Sequence, residues 1–205
     1  NYPLHYIGAT PRGQVSAGYF GEYGRIVHGR NRNAEGFVAA LSNGASGDIN
    51  NIPFNIDRPP RAPFEQVRIV ASKVADATWR ATRETEFDPN PKVAMLQREV
   101  SLKKRTATEA EIERAMRILG MSDVEVKEAD LPRLATNYAQ RTMRHKEPDQ
   151  TNEVLIQAIQ LGDTALVTMP FEVLVEIGLE IKEKSPFENT IFVELANGAY
   201  GYLPT

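Results

Sequence analysis

The strongest constraint on the fold lies between Val154 and Ala196. Val154 to Leu161 is an apolar run broken only by glutamines, Gly162-Asp163 follows, and Thr164 to Met169 is apolar again. Two such runs around a Gly-Asp pair predict a β-hairpin, because glycine supplies the left-handed corner of a two-residue turn. Phe171 to Lys184 then places Val173, Leu174, Ile177, Gly178 and Ile181 on one helical face, and Asn189 to Ala196 carries the strand-like core Thr190-Ile191-Phe192-Val193. Each strand and helix buries one apolar face, so strand, strand, helix, strand must close in layers. The expected class is α/β: a layered mixed sheet flanked by helices, with a helical insertion in the middle of the chain.

The remaining segments fill in that frame. Tyr2 to Ile7 predicts a short strand, and residues 8–13, rich in Gly and Pro, a loop. Ser16 is placed to cap a helix from Ala17 to Arg30, striped by Tyr19, Phe20, Tyr23 and Val27. Phe37 to Leu41 reads as a buried strand feeding the loop Ser42 to Asn51. Pro53 to Pro63 holds four of the 13 prolines and no periodicity, so it should be irregular. Val67, Val70, Ala71, Val74, Ala77, Thr78 and Ala81 predict a helix over Pro63–Glu84, and Lys92 to Leu102 a strand. Thr108 and Glu111 have capping-box spacing for a helix ending at Gly120, and Ala129 to Lys146 reads as a second inserted helix. With 205 residues, the chain is expected to form a single domain over 1–205.

Composition excludes several chemistries. There is no cysteine, so disulfides, thiolate zinc sites and cysteine nucleophiles are out, and a metal must rely on His, Asp, Glu or Tyr. The 24 basic residues fall short of the 27 acidic ones, leaving no cationic excess for a nucleic acid partner. No apolar run nears the ~20 residues of a transmembrane segment. The loop 43–51 lacks the Gly-Lys-Ser/Thr of a P-loop, although its backbone N–H groups could cradle an anion. His28 and His145 sit among Arg and Lys and are expected to be solvated. His5 on an apolar strand reads either as a core histidine or as a ligand. Glu172, two residues after Pro170, reads either as a helix-dipole charge or as a ligand.

Asn43-Gly44-Ala45-Ser46-Gly47-Asp48-Ile49-Asn50, then Met169-Pro170-Phe171-Glu172, then Ser185-Pro186-Phe187, and finally Leu195-Ala196-Asn197-Gly198-Ala199-Tyr200-Gly201-Tyr202-Leu203-Pro204-Thr205 occur in that order. Together they resemble the neutral/alkaline non-lysosomal ceramidase family, whose uncharacterised bacterial members the chain is most similar to. The resemblance implies a zinc-dependent hydrolase cleaving an amide or related acyl bond through a metal-bound water. It implies zinc ligands at His5, Glu172 and Tyr202, with Asn197 and Tyr200 in supporting positions around them. A further ligand histidine is expected upstream of Asn1, so the chain is read as part of a larger catalytic domain, with the remainder of the same polypeptide as a partner. The implied substrate is a small-molecule or lipid amide, and the implied compartment periplasmic or extracellular.

One departure bears on mechanism. Where the family has Gly-Asp-x-Ser-Pro, this chain has Gly47-Asp48-Ile49-Asn50-Asn51, so the resemblance implies catalytic positions at Asp48 and at Asn50, which stands at the family serine position. An amide cannot become an alkoxide, although it can position substrate or stabilise an oxyanion. The alternative to the hydrolase is therefore a catalytically inactive ceramidase-like binding or interaction domain; a third reading gives the metal a structural role only.

Overall fold

The structure is a computed structural model that describes residues 1–8, 10–32, 34–132, 134–147 and 150–204. Three positions within segments discussed above, Ala9, Arg133 and Thr205, lie outside the described residues. In chain order the elements are α1 (Gly18–Arg30), α2 (Glu65–Thr82), β1 (Val93–Lys103), α3 (Glu109–Leu119), α4 (Asp123–Glu128), α5 (Ala135–Arg144), β2 (Thr151–Leu161), β3 (Thr164–Thr168), β4 (Glu172–Val173), α6 (Val175–Lys184), β5 (Asn189–Val193) and β6 (Tyr202–Leu203). They fall into two compact units, Asn1–Arg98 with Leu155–Thr205, and Glu99–Val154.

The larger unit carries β3, β5 and parts of β1 and β2, strands of a mixed sheet of order β1-β2-β3-β5. The predicted hairpin is there: β2 and β3 run antiparallel with Leu161 opposite Thr164, and Gly162 takes the left-handed corner at φ 59°. β3 then pairs parallel with β5, which the intervening α6 makes possible by carrying the chain back across the sheet. Beside the sheet, Leu4, Ile7, Tyr19, Tyr23, Val27, Val67, Ala71 and Ala75 form one core between the N-terminal segment, α1 and α2.

The smaller unit holds the helical insertion. Both its first helices start on a capping box, in which Thr108 and Glu111, and again Ser122 and Glu125, exchange side chain and backbone bonds. Ala115 and Ile118 of α3 pack on Ala135 and Ala139 of α5. Among the described residues no helix is long and apolar enough to cross a membrane.

Four expectations need correction. Tyr2 to Ile7 is not a strand; it makes one isolated bridge, Tyr2 to Asn43, and otherwise bonds irregularly to residues 42–49. Phe37 to Leu41 joins no ladder; Phe37, Ala39 and Leu41 instead cover the α1–α2 core, while Val38 and Ala40 are exposed. Ala129 to Lys146 is not one helix: Pro132 disfavours helical backbone at the residue before it, so the helix begins only at Ala135, and the short α4 precedes it. Residues 171–174 are extended rather than helical, because their backbone pairs with residues near the end of the chain: the Glu172 N–H donates to the Gly201 carbonyl at 2.9 Å and β4 pairs with β6.

Candidate metal centre

That last correction relocates Glu172. It does not stand at a helix N-terminus; it sits in β4, directly paired with Tyr202 of β6. Reaching this pairing requires a contorted backbone, with Leu195, Asn197, Gly198 and Gly201 all at positive φ. At Gly201 (φ 89°) a built Cβ would meet no atom within 4 Å, so conformation rather than crowding selects glycine.

His5 arrives from the other end of the chain. The segment carrying it lies along residues 42–49, with the Tyr2 N–H on Ser42 O at 3.0 Å and the His5 N–H on Ile49 O at 3.1 Å. Leu4 and Ile7 are buried on either side, while His5 is left partly open. Its Nδ1 lies 2.7 Å from the Ser46 carbonyl oxygen. A carbonyl only accepts, so Nδ1 carries the proton and donates, and the Nε2 lone pair is the free coordinating position.

Around Nε2 the other two groups gather. Tyr202 Oη is 3.1 Å away and Glu172 Oε2 is 3.4 Å away. The imidazole and carboxylate side chains are each 30% exposed, so the cluster opens to solvent. Two ligands at ~2.0–2.1 Å from a tetrahedral zinc lie ~3.3 Å apart, so both separations match edges of that polyhedron. With Nδ1 holding its proton against Ser46, the Nε2 lone pair accepts the Tyr202 O–H and has the Glu172 carboxylate oxygen beside it, three donor atoms that a cation displacing the phenolic proton would share. The donors present therefore fit zinc. Among the described residues no three His, Cys, Asp or Glu side chains group to hold a metal; here the third donor is a phenol.

The other singled-out residues have definite places. The Asp48 Oδ1 accepts the Val175 N–H at 2.9 Å, so Asp48, not Glu172, bonds to the start of α6, whose first turn also carries Glu176. Asn50 is exposed, and its Oδ1 accepts the N–H of Asn51 at 2.8 Å in a local turn. The Asn197 amide donates to Gln157 Oε1 at 2.7 Å, and the Tyr200 ring packs on Phe171 with centroids 5.9 Å apart. The structure thus brings together His5, Glu172 and Tyr202; Asn197 and Tyr200 engage neighbours of their own. His28 and His145 are exposed.

The residue that sequence alone missed is Glu194, a carboxylate only 4% exposed. Its Oε1 accepts from Asn43 Nδ2 at 2.7 Å and Ser46 Oγ at 2.5 Å, and its Oε2 from the N–H groups of Ser46 at 3.1 Å and Val173 at 3.0 Å. The loop 43–51 does cradle an anion with a backbone N–H, and that anion is the protein's own. The only signal in the sequence is an acidic residue closing the strand-like run Thr190–Val193. Close packing fixes the same loop: a Cβ on Gly47 would lie 2.9 Å from the Val173 carbonyl carbon, and one on Gly178 of α6 2.5 Å from the Ala45 Cβ. Next to these segments, Ile7, Ile52, Phe54 and Ile56 line a largely apolar recess of about 520 Å³, which Asp57, Arg58 and Arg61 also border.

No family model and no curated protein matches the chain. Solved structures do. A neutral ceramidase from Pseudomonas aeruginosa superposes with a TM-score of 0.64 at 17% identity, over 100% of this chain and 38% of that one. A ceramidase complexed with C2 gives 0.64 at 15% identity, over 100% and 39%. The chain therefore has a ceramidase-like fold and spans well under half the length of either.

Proposed function

We propose that the chain is the zinc-dependent hydrolase that its motifs suggest, cleaving an amide or related acyl bond, with His5, Glu172 and Tyr202 holding the metal and an upstream histidine completing the set. What carries the reading is the meeting of His5 Nε2, Glu172 Oε2 and Tyr202 Oη within 3.1 and 3.4 Å of the imidazole nitrogen, on an imidazole already turned by the Ser46 carbonyl. When bound, zinc supplies a water of pKa about 7 and a Lewis acid for a carbonyl. The chain's own residues do the rest. Ser46 fixes the His5 tautomer, the β4–β6 pairing aligns carboxylate and phenol, and the open side of the cluster admits substrate. The ceramidase-like fold and the apolar recess beside residues 7 and 51 support a lipid amide as substrate. Asn50 takes no part as a nucleophile and lies in the loop that also carries Ser46.

Metal analysis of the native polypeptide, set beside Glu172→Ala, tests the metal; one equivalent of zinc lost on substitution is expected, and a zinc-free native protein refutes the reading. An amide and ester substrate panel tests the reaction. Turnover abolished by chelator and restored by zinc is expected, whereas zinc without turnover would favour the inert binding domain that Asn50 suggests.

A further inference from the structure

Among the described residues Glu194 is the one nearly buried carboxylate, and the hydrolase reading leaves its role unused. It accepts from four donors. A buried carboxylate is costly unless its lone pairs are filled by donors, and filled it becomes a stiff junction between the groups that fill it. The identity of those groups decides what the junction is for. Ser46 gives Glu194 its N–H and hydroxyl, and the Ser46 carbonyl accepts from His5 Nδ1 at 2.7 Å. Val173 gives its N–H at 3.0 Å, and Val173 follows Glu172 in β4. Asn43 gives its amide, and its Oδ1 in turn accepts the Leu4 N–H at 3.2 Å, one residue before His5. One side chain thus grips both arms of the cluster, the loop that orients the imidazole and the strand that carries the carboxylate.

We infer that Glu194 is a positioning residue for the metal centre, holding the Ser46 carbonyl where it keeps His5 in its Nδ1–H form and holding β4 at coordinating distance from it. The metal arm of this inference rests on the zinc reading above; the imidazole arm does not. Glutamine at this position keeps one acceptor oxygen and presents N–H groups where the other was, so the pair of donors on one side loses its partner.

The test uses the native polypeptide, isotope-labelled, with the His5 tautomer read from long-range proton–nitrogen spectra without metal and zinc affinity read by competition with a chromophoric chelator. In the unsubstituted protein His5 is expected in the Nδ1–H form. In Glu194→Gln the ratio of Nδ1–H to Nε2–H is expected to fall at least threefold, and the zinc Kd to rise about 10- to 100-fold, the usual consequence of losing support behind a ligand. A folded Glu194→Gln protein with an unchanged His5 spectrum and a Kd within twofold overturns the inference. If that variant does not fold, Ser46→Ala decides: it keeps the carbonyl and removes one grip, so a shift of the same sign is expected and an unchanged His5 spectrum overturns the inference. Should the unsubstituted protein bind no zinc, the hydrolase reading falls, and the metal-free spectra still decide what Glu194 does.

Discussion

Replacing Gly178 by alanine tests the packing that seats the loop 43–48 on α6. The new Cβ would stand 2.5 Å from the Cβ of Ala45. Carbon atoms pack at ~3.5–4.0 Å, so helix and loop must separate by about 1 Å. Overpacking costs ~1–3 kcal/mol, and a displacement of that size with the loop pinned by Glu194 falls at the upper end. Alanine's helix advantage over glycine returns about 1 kcal/mol, leaving a net loss of about 2. For a chain of ~200 residues that lowers Tm by about 4–8 °C. Ala45→Gly alone loses about 0.8 kcal/mol with its methyl group and up to about 1 in backbone entropy. In the double variant the clash is gone, and the helix gain offsets much of that loss, so stability should return to within about 1 kcal/mol of the unsubstituted protein. The coupling energy, measured by urea unfolding of all four proteins, is then about 3 kcal/mol. Additivity within about 0.5 kcal/mol would show that the two positions do not touch and refute the argument.

Gly47→Ala drives a Cβ onto the Val173 backbone at 2.9 Å; it should cost about 1–3 kcal/mol and, by shifting β4 more than the ~0.2 Å a metal site tolerates, weaken zinc binding at least tenfold. Equal Kd values in the two proteins would count against it. Tyr202→Phe removes one oxygen from an exposed ring, so zinc affinity should fall tenfold or more with Tm within 2 °C, as equilibrium dialysis and calorimetry would report. Glu111 and Glu125 are held below the usual carboxylate range, first by the N–H groups of Thr108 and Ser122. A depressed folded pKa means their contribution is complete above the unfolded value of ~4.3 and is lost as pH falls through the folded value. Helicity should therefore decline below about pH 4, and the pair Glu111→Gln with Glu125→Gln should flatten that decline. An acid titration by circular dichroism unchanged in the double variant would remove the caps from the explanation.

What could be read in the sequence follows how local the cause is. Gly162-Asp163 set the hairpin and Thr108 with Glu111 set the start of α3, because the atoms responsible are neighbours in the chain. The extended backbone at Glu172 and Val173 was misread as helix, since Val173, Leu174 and Ile177 do recur at helical spacing and the competing partner, β6, lies about thirty residues on. His5, Glu172 and Tyr202, which the fold brings together, were singled out through their motifs, whereas local pattern left His5 and Glu172 with two meanings. Glu194, and the bond by which Asp48 holds the start of α6, escaped for a different reason. Their partners, the Val175 N–H and the donors of residues 43, 46 and 173, are backbone and side chain groups that only the tertiary fold brings near. The support of the cluster was hidden where its three side chains were not.

The contact between His5 and Tyr202 spans 197 positions of the chain. Synthesis runs from the N-terminus, and domains begin to fold as they emerge. The imidazole is thus made before its phenol, and the two can meet only after the segments between them exist. A nascent chain that stops short of Tyr202 already holds every residue of α1, α2 and the hairpin, while the corner of His5 and Glu172 still lacks β6. The cluster therefore closes only once β6 has been made, late relative to the elements that frame it.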